Sequence, residues 1–288
     1  MEIGIGLPST IPGTEGTDVV RWARRAEERG FSSLGVIDRV VYDNYEPLIA
    51  LAAAAAVTER IRLATTILIA PNRGNAALLA KQAASVDRLS GGRLVLGMAV
   101  GGRADDFEAS GLPVAGRGER FEEMLAEMKR IWAGESRGTA GAIGPRPPKN
   151  GGPEVVIGGT ADASFRRAAT YGSGWVAGGA DPKTFAELAG RARAEWTRQG
   201  RQGDPRLLAL AYFSLGTAAV ENARRYLSDY YGFMGVTPDM AEGMAFTDEG
   251  IVRQAIDAFA AAGCDELVLF PCAPDLEQVD LLADAALG

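Results

Sequence analysis

Short apolar runs alternate with amphipathic segments along the whole chain. A short apolar run is typical of a buried strand, whereas apolar positions three and four residues apart are typical of a helix. The apolar runs predict eight strands, which are Ile3–Leu7, Ser32–Ile37, Ile61–Ile69, Arg93–Ala99, Glu154–Ile157, Gly174–Ala177, Leu207–Leu215 and Glu266–Phe270. The amphipathic segments beside them predict helices at Thr17–Arg29, Pro47–Thr58, Asn75–Leu89, Gly118–Trp132, Ala161–Tyr171, Pro182–Arg198 and Leu276–Ala286.

The strict alternation of strands and helices predicts an α/β fold. A chain of 288 residues suits a single (β/α)8 TIM barrel, which takes about 250 residues. Several turns from helix to strand are very short, such as Ser90–Gly92, while the loops from strand to helix are longer. An open doubly wound sheet is the alternative, but no Gly-x-Gly-x-x-Gly motif follows the first strand. We therefore expect one barrel domain over residues 1–288, with its active site at the carboxyl ends of the strands.

Two helical segments lie between the seventh and eighth strands, where a barrel needs only one. The second segment, Asp248–Ala262, is predicted to cross back to strand eight, and the first is Ala218–Tyr231. Residues 217–247 are therefore predicted to form an insertion and to act as a lid over the barrel mouth. Its large apolar side chains either line an apolar pocket or pack the insertion onto the rim. These are Phe233, Met234, Met240, Met244 and Phe246.

The composition excludes several classes of protein. A formal net charge of −7 argues against a nucleic-acid partner, because phosphate binding needs clustered Lys and Arg. The sequence has no apolar run of about 18 residues, so we expect no membrane span. Cys264 and Cys272 are too few for a disulfide framework, and the first strand begins without an apolar leader. These features predict a cytoplasmic protein.

The chain contains no histidine. Its absence excludes a Ser-His-Asp triad, a histidine general base and a histidine-ligated zinc site, and two separated cysteines cannot replace them. We therefore expect no metal site. The chemistry must come from a cofactor, or from carboxylates, Arg, Lys and Tyr.

Six segments together resemble the bacterial luciferase-like flavin monooxygenase family, which includes barrels that use the deazaflavin F420. They are Ala26–Arg39, Pro47–Leu68, Leu78–Met98, Asp105–Gly111, Val156–Trp175 and Ala261–Pro271. The resemblance implies a monooxygenase that uses reduced FMN from a separate flavin reductase, O2 and a small organic substrate. It also implies a homodimer through the second and third helices. An F420-dependent hydride-transfer enzyme and a catalytically silent ligand-binding barrel are the alternatives.

The resemblance implies that Gly158, Gly159 and Thr160 hold the cofactor phosphate. These residues lie between a predicted strand and a predicted helix, where free backbone N–H groups can bind an anion. An ordinary tight turn with a helix cap is the alternative. Arg103, in the loop after the fourth strand, is a second candidate for the phosphate, since the family's usual arginine is replaced by Val100.

The resemblance also implies that the flavin ring rests on Thr65, Thr66 and Ile67, over a non-proline cis peptide at Thr66–Ile67. The alternative is a plain strand that fills the barrel.

Three residues are candidates for catalysis. Arg39 stands where many relatives have histidine, and it can bind an anion but cannot act as a base. Asp106 stands where the family often has an acid, although a loop carboxylate is more often solvated. Tyr42 is a candidate proton donor or stacking partner.

Overall fold

The computed structural model describes the backbone of residues 1–288 and the side chains of residues 1–139 and 141–288. Nine parallel strands are present in these residues. They are β1 (Glu2–Gly6), β2 (Ser33–Val36), β3 (Arg62–Ile69), β4 (Leu94–Ala99), β5 (Glu154–Gly158), β6 (Gly174–Gly178), β7 (Arg206–Phe213), β8 (Ala245–Phe246) and β9 (Glu266–Pro271).

Eight of these strands form a closed barrel. Strands β1 to β7 pair in sequence order, β7 pairs with β9, and β9 pairs with β1. The eighth barrel strand is therefore β9. The two-residue strand β8 pairs with β7 through Tyr212 and Phe213 and adds a short extension at the barrel mouth. The predicted TIM barrel is confirmed.

Helices surround the barrel in the order that the sequence predicted. Their bounds are α1 (Gly16–Glu28), α2 (Pro47–Ala55), α3 (Ala76–Leu89), α4 (Ala104–Ala109), α5 (Arg117–Trp132), α6 (Asp162–Tyr171), α7 (Pro182–Arg198), α8 (Ala219–Tyr230), α9 (Pro238–Glu242), α10 (Glu249–Ala261) and α11 (Glu277–Ala286). Helix α2 ends three residues before the predicted Thr58, whose hydroxyl donates to the carbonyl of Ala54. Helix α4 occupies part of the predicted loop after the fourth strand. Six residues are too few to show a helical period in the sequence.

The barrel interior contains an apolar cluster, and its amino end carries charged side chains. Ala64, Val95, Val156, Val176 and Leu208 form a buried apolar cluster across five neighbouring strands. The first residues of β3, β7 and β9 supply charges at the amino end, where buried Glu266 pairs with both Arg62 and Arg206. The amino end is thus closed by ion pairs, and the carboxyl end is left for a site. Among the described residues, no helix is long and apolar enough to cross a membrane.

Candidate active site

A cavity of about 240 Å3 lies at the carboxyl ends of the barrel strands. The side chains that line it come from the ends of β2, β3, β4, β6 and β7 and from the insertion after β7. They include Asp38, Thr66, Ile67, Asn72, Arg103, Asp106, Tyr212, Tyr230, Tyr231 and Phe233. This is the end of a TIM barrel at which active sites are found.

One wall of the cavity is an irregularity in strand β3. The pairing of β3 with β4 shifts register between Thr65 and Leu68, and the Thr66–Ile67 peptide is cis. The cis peptide is at the position that the family resemblance implied. A Cβ added at Gly97 of β4 would lie 2.0 Å from the carbonyl oxygen of Thr65. Glycine at that position therefore allows the two strands to approach.

Two buried polar atoms beside this wall have no hydrogen-bond partner in the described part of the chain. They are Oγ1 of Thr66 and Oδ1 of Asn72, whose residues are 1% and 8% exposed and line the cavity. The neighbouring Thr65 differs, because its hydroxyl donates to the carbonyl of Gly97 at 2.7 Å. An unpaired buried polar group is costly. Thr66 and Asn72 therefore point to a ligand with complementary polar atoms.

Asp38 lines the cavity and was not among the predicted site residues. Its carboxylate accepts the backbone N–H of Ile69 at 2.8 Å and a guanidinium N–H of Arg73 at 2.8 Å, and Arg73 also pairs with Glu46. Burial raises the pKa of Asp38, and the Arg73 charge opposes that rise. The signal available in the sequence was position, since Asp38 comes directly after the predicted second strand, Ser32–Ile37, and two residues after the end of β2.

Arg39 is buried beside the cavity and does not line it. Its Nε donates to Asp106 at 3.0 Å and its Nη2 donates to Asp105 at 2.7 Å. The other oxygen of Asp106 accepts the N–H groups of Val40 and Val41. Asp106 is 2% exposed and lines the cavity, so it is not a solvated loop carboxylate. Both of its oxygens are engaged in joining α4 to the loop after β2.

Arg103 lies in the cavity wall, between aromatic rings of the insertion. Its guanidinium carbon is 3.6 Å from the ring centre of Phe233 and 4.8 Å from that of Tyr230, and Nη2 donates to the Tyr230 carbonyl at 3.0 Å. Burial lowers the pKa of Arg103. The side chain crosses from the end of β4 to the insertion.

Tyr42 lies next to the cavity but does not line it. Its hydroxyl donates to Asp229 of α8, and its ring meets Tyr230 edge-on with 5.2 Å between the ring centres. Burial raises the pKa of Tyr42, and the hydrogen bond to Asp229 adds to that rise. Tyr42 therefore connects the loop after β2 to the insertion.

The predicted phosphate loop lies outside this cavity. Gly158 ends β5, and α6 begins after Ala161, which has no side-chain oxygen to cap the helix. Gly159 has a φ of 120°, and a Cβ there would lie 2.5 Å from the hydroxyl of Ser164. Thr160 is exposed. The first turn of α6 thus keeps backbone N–H groups that no N-cap side chain satisfies.

The insertion contributes tyrosines to the cavity rather than methionines. Tyr230, Tyr231 and Phe233 line it, and the hydroxyls of Tyr231 and Tyr212 are 2.8 Å apart. Of the five apolar side chains expected there, Phe233 lines the cavity. The expectation is wrong for Met234, Met240 and Met244, which are exposed and do not line it, and for Phe246, which pairs in β8. The reason is that the end of α8 and the turn directly after it, through Phe233, face the cavity, and the rest of the insertion does not. The adjacent tyrosines at the end of the predicted helix were the available signal.

Comparison with known proteins identifies the family of this chain. The sequence matches the luciferase-like monooxygenase family over residues 1–266. The chain belongs to this family.

Relatives of this luciferase-like chain cover different parts of it. An uncharacterized protein of Mycobacterium tuberculosis is 31% identical over 208 residues, which are 62% of this chain and 72% of that protein. The FMNH2-dependent dimethylsulfone monooxygenase of Pseudomonas putida is 31% identical over 134 residues, which are 43% of this chain and 36% of that enzyme. The luciferase-like family thus includes flavin-dependent monooxygenases.

Among solved structures, an F420-dependent secondary alcohol dehydrogenase in complex with an F420–acetone adduct has the same fold. The TM-score is 0.85 at 19% identity, over 99% of this chain and 98% of that chain. This likeness shows that the two chains share the barrel fold. Among the described residues, no group of three or more Cys, Asp and Glu side chains is arranged to hold a metal ion.

Proposed function

We propose that this luciferase-like chain is a monooxygenase that uses reduced FMN to oxygenate a small organic substrate. The observation that carries the proposal is the irregular wall of β3, where Thr66 lines the cavity at the barrel mouth and its buried hydroxyl has no hydrogen-bond partner among the described residues. The wall offers a planar ligand both an apolar surface, at Ile67, and polar atoms without protein partners.

The residues present fit a flavin. Thr66 and Asn72 would bind polar edges of the ring, and Ile67 would contact its face. Gly158, Gly159 and Thr160 would hold the phosphate at the first turn of α6, where Ala161 leaves backbone N–H groups without a side-chain cap. Reduced FMN, when bound, supplies the electrons that activate oxygen.

The chain itself would supply orientation and protection from water. The ion pair of Asp38 with Arg73 fixes the end of β2 against the loop after β3. Tyr230 and Tyr231 line the cavity from the insertion, and Tyr42 holds the insertion through Asp229. Closure of this aromatic side over a bound ligand would limit the access of water to reactive species. We propose that residues 217–247 act as the lid of this site.

An F420-dependent oxidoreductase is the second candidate. F420 has a long acidic tail, which basic residues at the mouth would bind. Two of the three arginines there are already paired, because Arg39 holds Asp105 and Asp106, and Arg73 holds Asp38 and Glu46. Arg103 favours the second candidate, since it has no ion pair among the described residues. The paired state of the other two favours FMN.

Binding and oxygen uptake test the proposal. Purified protein should quench the fluorescence of FMN and bind it more tightly than riboflavin, which lacks the phosphate. With reduced FMN regenerated by an added flavin reductase, oxygen should be consumed in a substrate-dependent way. Binding of F420 but not FMN would replace the proposal with hydride transfer. Binding of neither would indicate a catalytically silent barrel.

A further inference from the structure

Arg103 is a charged residue of the cavity wall that has no ion-pair partner among the described residues. The two carboxylates that line the cavity each have a cation of their own, since Asp38 pairs with Arg73 and Asp106 pairs with Arg39. Within the described residues, no carboxylate oxygen lies within 4.0 Å of the Arg103 guanidinium. Arg103 therefore contributes a positive charge to the cavity that no carboxylate contacts, although Asp106 attracts it from a longer distance.

The guanidinium of Arg103 is also held in place. It stacks on Phe233 at 3.6 Å and lies 4.8 Å from the centre of Tyr230. A guanidinium has five N–H donors, and in the described structure one nitrogen, Nη2, donates to a protein acceptor. The remaining donors are available at a fixed position. Stacked and partly desolvated arginines of this kind bind carboxylates with geometric specificity.

The wall around Arg103 is aromatic. Tyr212, Tyr230, Tyr231 and Phe233 all line the same cavity. The paired hydroxyls of Tyr212 and Tyr231 add one polar position to this wall. Aromatic side chains favour planar ligands through stacked and edge-on contacts.

From these observations we infer that Arg103 is an anion-binding residue and that the organic substrate is a planar molecule with a carboxylate or similar anionic group. The inference rests on the proposed function, which places the flavin ring against Thr66 and Ile67, and it takes the side of the same cavity at Arg103 as the substrate site. It assigns Arg103 to the substrate rather than to the cofactor phosphate, because Gly158, Gly159 and Thr160 do not line the cavity and Arg103 does. The acidic tail of F420 and the phosphate of FMN are the other sources of an anion.

A matched pair of planar probes tests the inference. We would measure binding of 2-naphthoate and its neutral analogue 2-naphthamide by calorimetry, with FMN at saturation. We expect the acid to bind about 10- to 100-fold more tightly, which is the range for hydrogen bonds to charged groups. Equal affinities, or no measurable binding of the acid, would overturn the inference without any variant being needed.

Variants then test whether Arg103 is the cause of the preference for the acid. Arg103→Met should reduce the affinity for the acid to that for the amide, and Arg103→Lys should restore part of the preference. Arg60→Met removes an exposed arginine and should leave both affinities unchanged.

A fourth comparison identifies the source of the anion. If Arg103→Met weakens FMN relative to riboflavin, or F420, and leaves the acid-to-amide ratio unchanged, the anion belongs to the cofactor and the inference fails. Failure of the proposed function is a separate result, because FMN binding is measured before the probes. Without FMN binding, the same acid and amide comparison on the protein alone still decides the inference.

Discussion

Arg39 and Asp106 form a buried ion pair, with 3.0 Å between Nε and Oδ2, that joins the loop after β2 to helix α4. The side chains are 5% and 2% exposed. Asp105 binds the same guanidinium from the surface, where its side chain is 46% exposed. One arginine thus has a buried and an exposed carboxylate partner, and the two can be compared directly.

We expect Asp106→Asn to lower the free energy of unfolding by about 3 kcal/mol or more, because removing one partner of a buried pair leaves the other charge poorly compensated. The amide oxygen can still accept the N–H groups of Val40 and Val41, but the amide nitrogen then faces Arg39 Nε, so the change removes the charge and its hydrogen bond together. Asp105→Asn is the control, and an exposed partner should contribute about 1 kcal/mol or less. Urea unfolding measures both. Equal losses would mean that burial does not govern the pair.

Thr65 and Thr66 are adjacent and buried, but only the Thr65 hydroxyl has a hydrogen-bond partner in the described chain. We therefore predict that the same substitution by valine affects stability at one position and ligand binding at the other. Thr66→Val should weaken FMN binding by about 2- to 10-fold, from one lost hydrogen bond, and should not reduce stability, because its hydroxyl has no protein partner. Thr65→Val should lower the free energy of unfolding by about 1–3 kcal/mol, since its hydroxyl binds Gly97. Fluorescence titration and urea unfolding separate the two. A loss of stability in Thr66→Val would argue against a ligand for that hydroxyl.

Glu27 predicts a pH dependence of stability. Its carboxylate accepts the backbone N–H groups of Glu59, Arg60 and Ile61, the three residues just before β3. Burial raises the pKa of Glu27, but these donors outweigh it and hold the pKa below the ordinary value of 4.5. A lowered pKa in the folded state means that the stabilisation is complete above 4.5 and is lost as the pH falls through the lowered value.

We therefore expect Glu27→Gln to cost about 1–3 kcal/mol at pH 7 and progressively less as the pH falls below 4.5. Urea unfolding at a series of pH values measures the difference. The neighbouring Glu28 pairs with Arg25 at the surface, where it is 63% exposed, so Glu28→Gln should cost less than about 1 kcal/mol. A Glu27 effect that is independent of pH would contradict the charge-based explanation.

The barrel could be predicted from the sequence because each of its strands is a short apolar run followed by a helix. The alternation sets the topology, and the parallel order of the strands then places every loop after a strand at one end. Asp106, Arg103, Thr66 and Ile67 could be assigned to that end for the same reason. The position of the cis peptide came from the family resemblance, since apolar pattern alone does not distinguish a bulge in β3 from a regular strand.

The details of the site depend on the direction in which each side chain points, and the apolar pattern of the sequence does not determine that direction. Asp38 and Arg39 are adjacent in the loop after β2, but only Asp38 lines the cavity, because the Arg39 side chain pairs with Asp105 and Asp106 beside it. The insertion was predicted, but not which of its segments faces inward. Tyr230 lies in the last turn of α8 and lines the cavity, while Met240 in the short helix α9 is 58% exposed. Tertiary packing determines which of these side chains face the cavity.

Helices α2 and α3 expose apolar side chains, and we predict that they form a homodimer interface. Ile49 of α2 is 64% exposed, and Leu78 of α3 is 52% exposed. Burying such side chains against a second copy would stabilise a dimer by about 25 cal/mol per Å2 of apolar surface. Light scattering should give a dimer for the unmodified chain and a monomer for the double variant Ile49→Glu, Leu78→Glu. Ile251→Glu places the same charge on α10, where the side chain is 45% exposed, and should leave the dimer intact. A monomeric unmodified chain would mean that there is no such interface. Dissociation by Ile251→Glu, and not by the double variant, would place the interface elsewhere.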